Sequence, residues 1–379
     1  MKHYDYIFAG AGLAALLTAY RMAVSGSFTQ KNILLLDPDA KATNDRTWCF
    51  WEEGVGEWDS IVYRNWNTAV FANEDFRTEL DFDDYHYKMI RGADFYAHVK
   101  RELAKYPSIL MVQDKVISFN DRGTDVLVKT TESEYTCSKL FNSIYCATLP
   151  AMQKKYPVLQ QHFIGWHIKT DKSVFNPEVP VFMDFSVPQK GNTRFMYVLP
   201  FSETEAIVEY TLFSKDLLPE KEYEQAIADY VQQLGAGGYT IVDKESGSIP
   251  MTSYRFWDVN SKNIMHIGST GGWTKASTGY TFKNASKLSK RLVNFLQKDA
   301  PLNTFYKVNR FWFYDLLLLD ILASKNEKGG AIFAAMFRKG KAAPVFRFLD
   351  EETSFWGDLK VIWSCPKGLF IKALLARLF

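Results

Sequence analysis

Cysteine is scarce in this 379-residue chain, and its four copies (Cys49, Cys137, Cys146, Cys365) show neither a CxxC nor a paired framework. That argues against a disulfide-stapled fold and suits a reducing compartment. Six histidines (His3, His86, His98, His162, His167, His266) fall into no HExxH or similar ligand spacing, so no metal centre is expected. An excess of one charge is also missing. Forty-five Lys and Arg stand against 43 Asp and Glu, and the formal net charge is +2 with the basic residues scattered. No field of the kind that gathers nucleic acid is expected. No run approaches the ~18 uninterrupted apolar residues of a membrane span. The N-terminus has no basic region before an apolar one, so no signal peptide is expected either.

Aromatic residues are plentiful, at 16%, with 29 Phe, 20 Tyr and 10 Trp. They imply either a Phe-rich core or a long apolar pocket lined with rings. The length, with 47% hydrophobic residues, suits one large domain or two interleaved ones.

The chain opens as strand, turn and helix. Tyr4 to Ala9 is an apolar run suited to a buried parallel strand, Gly10-Ala-Gly12 makes a turn, and Leu13 to Val24 is an Ala- and Leu-rich helix. A second strand at Asn32 to Leu36 ends on Asp37, completing a βαβ unit with a parallel sheet. Short strands are expected over 108–150. Phe195–Leu199 and Ala206–Leu212 read as an antiparallel hairpin, 221–235 as a helix, 263–267 as a strand and 281–297 as a helix. The remainder from 301 reads as mainly helical.

Gly10-Ala-Gly12-Leu-Ala-Ala15 matches GxGxxG/A. The first glycine permits the tight turn, the second admits a pyrophosphate to the backbone, and Ala15 lets helix and strand pack closely. Phosphates would rest on the N-terminus of the helix from Leu13. Asp37, at the end of the second strand, is placed to accept a bond from a ribose hydroxyl. FAD is preferred over NAD because of a late strand that runs into a glycine-rich turn, His266 to Tyr280, including Gly268, Gly271, Thr278 and Gly279. One large flavoprotein class presents such a turn and helix to its flavin. That class has Gly-Asp where this chain has Gly268-Ser269, which leaves the ribityl contact open.

Several segments, in order over nearly the whole chain, resemble the lycopene β-cyclase family of bacterial carotenoid biosynthesis. They are YIFAGAGLAAL at the start, Asp45-Arg-Thr-Trp48, Phe182-Met-Asp184, Arg194 to Pro200, Ile207-Val-Glu209, Gly247 to Pro250, Ser277 to Tyr280, and Arg347 to Asp350. The resemblance implies an α/β fold with a Rossmann-type FAD-binding domain of the GR2, hydroxylase-like class, a β-rich substrate domain and a helical C-terminus. The expected division is 1–75, 90–160 and 255–300 for the discontinuous FAD-binding part, 161–254 for the substrate part and 301–379 for the helical region. It further implies a redox-neutral enzyme that closes β-ionone rings on the ψ-ends of lycopene, giving γ-carotene and then β-carotene. FAD would work in its reduced form, with NAD(P)H as electron source.

Such a reaction needs an acid that is neutral at working pH, and electron-rich neighbours for the carbocation. Glu209, mid-strand with Ile207 and Thr211 on its own face, is the expected acid and matches the family's catalytic glutamate. Asp184, in VFMDF, is a second expected catalytic carboxyl. It either pairs with a base such as Arg194 or is held neutral near substrate. Arg46 either approaches FAD and the substrate channel or caps local carbonyls. Leu349 to Thr353 look like a catalytic acid motif of the plant enzymes but read as a structural helix or turn.

Lycopene dissolves in lipid, so contact with a bilayer is expected, peripheral and on the cytoplasmic side. The apolar, basic tail Gly368–Phe379 is favoured for it over Phe311–Leu319, which reads as core; Ala331–Phe337, followed by Arg338, Lys339 and Lys341, is a further apolar run. Two other functions fit the same residues. A different flavoenzyme acting on isoprenoids or aromatics would consume NAD(P)H in proportion to product. A non-catalytic carotenoid carrier would tolerate loss of Glu209.

Overall fold

The computed structural model describes residues 2–378, so Phe379, the last residue of the apolar tail, lies outside them. The first strand spans Lys2–Ala9, the helix Leu13–Val24 and the second strand Ile33–Asp37, which forms the expected βαβ opening. In the sheet they begin, Ile109–Gln113, Ile33–Asp37, Lys2–Ala9 and Glu134–Asn142 lie side by side in parallel. Val126–Thr130 and Val116–Asp121 extend it antiparallel, and the short strand Ile264–His266 pairs parallel to Glu134–Asn142. Alternation decides the faces. Tyr6 and Phe8 pack with Leu16, Leu17, Leu292 and Leu296 of two helices, while Ile7 and Ala9 pack with Val126 and Val128 on the other side. The helix Phe282–Leu296 lies against Leu13–Val24.

The second sheet has the order Tyr239–Met251, Leu159–Thr170, Glu205–Ser214, Thr193–Pro200, Val181–Asp184, Thr68–Ala72 and Arg77–Asp81. The expected hairpin is present as Thr193–Pro200 against Glu205–Ser214, and the expected helix as Glu220–Gln233. Period-two patterning gives this sheet two apolar faces. Met196, Val208, Tyr210 and Leu212 face Ile227 and Val231 of that helix. Phe195, Ile207 and Phe213 face an aromatic core that includes Tyr87, Phe182 and Phe333. A third sheet is made of Thr47–Glu53, Tyr85–Arg91 and Arg64–Trp66. Five helices follow residue 309: Arg310–Ser324, Gly329–Phe337, Ala343–Leu349, Phe355–Ser364 and Lys367–Leu378.

One boundary moves. Thr68–Ala72 falls inside the 1–75 segment assigned to the nucleotide unit, yet it pairs with Val181–Asp184 in the second sheet. Phe71 explains this, being buried against Phe185 and Phe337 of the aromatic core and not against the first sheet. Among the described residues no helix is long and apolar enough to cross a membrane, and no group of metal-ligating side chains is clustered.

Candidate active site

Gly10 ends the first strand at φ 92°, and a Cβ there would lie 2.4 Å from Ser143 Oγ, so the turn requires glycine. Gly12 precedes the helix Leu13–Val24, whose first turn has no capping side chain and no acidic residue. Space in front of that helix is open, since a Cβ on Gly12 would meet nothing within 4 Å. Free N–H groups and the positive end of the helix dipole therefore face an open groove that suits phosphate. Ala15 is fully buried between helix and sheet. Asp37 accepts the Ala11 N–H at 2.6 Å and lies 3.7 Å from the Lys41 ammonium, so it braces the glycine turn from the end of its strand.

The late turn comes to the same groove. Gly268–Gly271 forms a single 3-10 turn, with a Cβ on Gly268 only 3.3 Å from Ala14. Gly279, at φ 74°, passes so close to Gln161 that any side chain would overlap it. Gln161 Oε1, Thr270 Oγ1 and Thr278 Oγ1 are all buried without a hydrogen-bond partner. Such groups are costly unless a ligand meets them. An uncapped helix N-terminus and a row of orphaned hydroxyl and amide oxygens fit FAD. Ser269 takes the place of the Asp expected after Gly268, and its hydroxyl lies 3.3 Å from that of Thr274. Arg46 is exposed and donates to the Asp45 carbonyl at 2.6 Å, which is the local capping contact.

Glu209 lies mid-strand on the face toward the aromatic core and is 8% exposed. It stands opposite Tyr197 on one side and Gly165 on the other, and the Thr211 hydroxyl donates to its Oε1. Burial pushes its carboxyl up to about 8, and the charge of Glu245 adds to this against the Thr211 bond. A protonated carboxyl at neutral pH is the result. Around it is a cluster of phenols: Tyr87 Oη is 2.6 Å from Tyr197 Oη and 3.1 Å from Tyr280 Oη. Burial holds all three phenols well above their ordinary range, so they stay neutral. Trp51 packs edge-on to Tyr280 at 4.6 Å. Tyr280 follows Gly279 directly, so the groove and the acid are joined by one loop, with Gln161 on the strand neighbouring Glu209.

Asp184 is elsewhere. It pairs with Met196, which pairs with Tyr210, and so belongs to the opposite face of the sheet from Glu209. There it accepts bonds from Ser186 and from Tyr230 Oη at 3.1 Å, with Arg77 at 3.8 Å. Arg194 is not its partner: that guanidinium binds Glu222 at 2.8 Å and Tyr210. The assignment of Asp184 beside Glu209 is therefore corrected. A bulge in Val181–Asp184 lets Phe182 and Met183 both reach the aromatic core, which defeats simple alternation.

Glu245 was missed. Its strand, Tyr239–Met251, reads DKESGS at that point and carries little apolar alternation. Only the register, with Gly165 between Glu209 and Glu245, brings it to the site. Asp350 and Glu351 are held by lysines, Asp350 by Lys283 at 3.5 Å and Lys287 at 3.9 Å, and Glu351 by Lys275 at 2.9 Å. They anchor the helical region, Glu351 to the late loop and Asp350 to the helix Phe282–Leu296 that follows it.

The family model described as "Lycopene cyclase protein" matches residues 5–374. A lycopene beta-cyclase of Pantoea ananas is 26% identical over 302 residues, covering 76% of this chain and 74% of its own. A lycopene beta-cyclase of Pseudescherichia vulneris is 23% identical over 303 residues, covering 76% and 73%. Among solved structures, a geranylgeranyl bacteriochlorophyll reductase-like protein from Thermoplasma acidophilum superposes with a TM-score of 0.62, at 11% identity and 98% of both chains. A flavoprotein/dehydrogenase from Cytophaga hutchinsonii gives a TM-score of 0.59 at 15% identity, over 99% of this chain and 100% of that one. The two solved structures share the fold.

Proposed function

The chain belongs to the lycopene cyclase family, and from that premise we propose that it is a lycopene β-cyclase, closing β-ionone rings on the ψ-ends of lycopene to give γ-carotene and then β-carotene. The observation that carries the reading is Glu209, a buried carboxyl with a raised pKa, set among neutral phenols next to a groove that fits FAD.

Ring closure begins when the Glu209 carboxyl gives its proton to the terminal double bond. Charge appears on carbon, and the neighbouring double bond attacks it. Tyr197, Tyr87 and Tyr280 offer ring faces and lone pairs to the cation, and their phenols, all held neutral, are poor nucleophiles. A ring proton then passes to a base, either the Glu209 carboxylate itself or water that hands it on, so the acid is regenerated and no electrons are gained or lost overall. FAD, held by Gly10, Gly12, Asp37 and the Gly268–Gly279 loop, would supply in its reduced form an electron-rich ring beside the cation, with NAD(P)H as reductant.

Substrate must arrive from lipid. On the helices Phe355–Ser364 and Lys367–Leu378, Phe355, Trp356, Trp363, Ile371, Leu375 and Leu378 are exposed, and Lys360, Lys367 and Lys372 lie among them. Exposed indoles beside lysines suit the headgroup region, which supports a peripheral enzyme on the cytoplasmic side of a membrane. By contrast Phe311, Leu316, Leu317 and Leu319 are buried core, and so are Ile332, Phe333 and Phe337.

The deciding experiment is anaerobic incubation with lycopene in liposomes, comparing oxidised with photoreduced FAD and omitting NAD(P)H. Cyclic carotene in excess of flavin, formed with reduced FAD alone, is the expected result. Consumption of reduced flavin in step with product would make the protein a reductase instead, and product formed only once air is admitted would make it a hydroxylase. Glu209→Gln should keep flavin and lose cyclisation by about 10²–10⁴-fold, the usual worth of a general acid. A carotenoid carrier would show no difference between the two proteins.

A further inference from the structure

Gly165 lies between two carboxylates. Its strand pairs with Glu205–Ser214 on one side and Tyr239–Met251 on the other, and the register sets Gly165 opposite both Glu209 and Glu245. A Cβ at 165 would stand 3.2 Å from Glu245 Cγ, 3.4 Å from Glu245 Oε1 and 3.5 Å from Glu209 Cβ. Glu245 thus leans across the one position in the strand that has no side chain, toward Glu209. The Thr47 hydroxyl donates to Glu245 Oε2 at 3.1 Å.

We propose that Glu209 and Glu245 hold a single proton between them across Gly165, with Glu245 as the ionised partner that keeps Glu209 protonated. Glu245 is then a positioning residue, acting on the reaction through Glu209. The division of labour follows from the neighbours. Burial raises Glu245 too, and Asp243 adds to this, but Glu245 alone of the pair has the Thr47 donor and the positive charges of Arg46 and His167 working to lower it. Glu209 has the Thr211 hydroxyl as donor, and the groups around it, Tyr197, Tyr87, Tyr280 and the Cys49 thiol, are neutral. Two carboxyls that reach toward each other over one glycine, in a largely buried site, cannot both ionise cheaply, and the less buried Glu245 takes the charge.

This inference deepens the reading of Glu209 as proton donor and rests on it for its meaning. Its test does not need turnover. Infrared titration of the FAD-loaded protein should show one buried protonated carboxyl at neutral pH that disappears in Glu209→Gln. In Glu245→Gln its midpoint should fall by at least one pH unit, a tenfold loss of proton affinity. Gly165→Ala, which wedges the pair apart, should lower the midpoint in the same direction and serves if the first variant does not fold. An unchanged midpoint in folded variants, or a band that survives in Glu209→Gln, overturns the proposal. Cyclisation by Glu209→Gln with the infrared results intact would instead refute the donor role and leave the shared proton standing.

Discussion

Glu209 keeps a proton that an exposed glutamate would have lost, and the pH dependence follows from that. Burial first, then Glu245, raises its carboxyl from the ordinary 4.5 to about 8. Because the donor must be protonated, the cyclisation rate should hold through neutral pH and fall as pH rises through about 8; a rate profile in liposomes reads it directly. Stability carries the same sign. Between pH 4.5 and about 8 the folded carboxyl is protonated while the unfolded one is ionised, so the fold loses stability as pH increases through that window. Glu209→Gln should flatten the loss, seen as a higher Tm than the parent above pH 8. At this scale the sequence was partly legible. An acid inside IVEYTL announces itself, because alternation puts it among apolar neighbours. Glu245 does not, because DKESGS reads as a polar turn and its meaning lies in a strand register some 80 residues away.

Elements were legible where periodicity was long. Leu13–Val24, Glu220–Gln233 and Phe282–Leu296 fall within a residue or two of their expected positions, since an amphipathic or Ala-rich run of a dozen residues has one plausible conformation. The strands between 47 and 91 were not read, being three to seven residues long and broken by Glu, Asp and Gly. The helix Phe355–Ser364 lies within the stretch that reads as helical, but nothing in its sequence marks Trp356 and Trp363 as facing solvent. A pair of indoles entering lipid is worth on the order of 3 kcal/mol or more. Replacing both with Ser should therefore weaken partition into liposomes by at least about tenfold in a sedimentation assay, while leaving the flavin content unchanged. Retained partition would move the membrane contact elsewhere.

Across the whole molecule, the buried ammonium of Lys275 joins the late loop to the helical region, lying 3.0 Å from Asp315 and 2.9 Å from Glu351. Lys275→Met would leave Asp315 buried and uncompensated, and a loss of about 3–5 kcal/mol in urea unfolding is expected. The overall α/β architecture was legible because the glycine motif and the family segments recur in order along the chain. Its interleaving was not, since nothing local in TAVFA tells which sheet it joins. That interleaving has a consequence for the growing chain. The parallel sheet begins at residue 2, but its last strand, Ile264–His266, emerges only after every strand of the second sheet has been made. Meanwhile Thr68–Ala72 must wait more than a hundred residues for Val181–Asp184. A ribosome therefore releases long apolar edges before their partners exist, and this protein depends on holding chaperones early in its life more than a chain whose units close in turn.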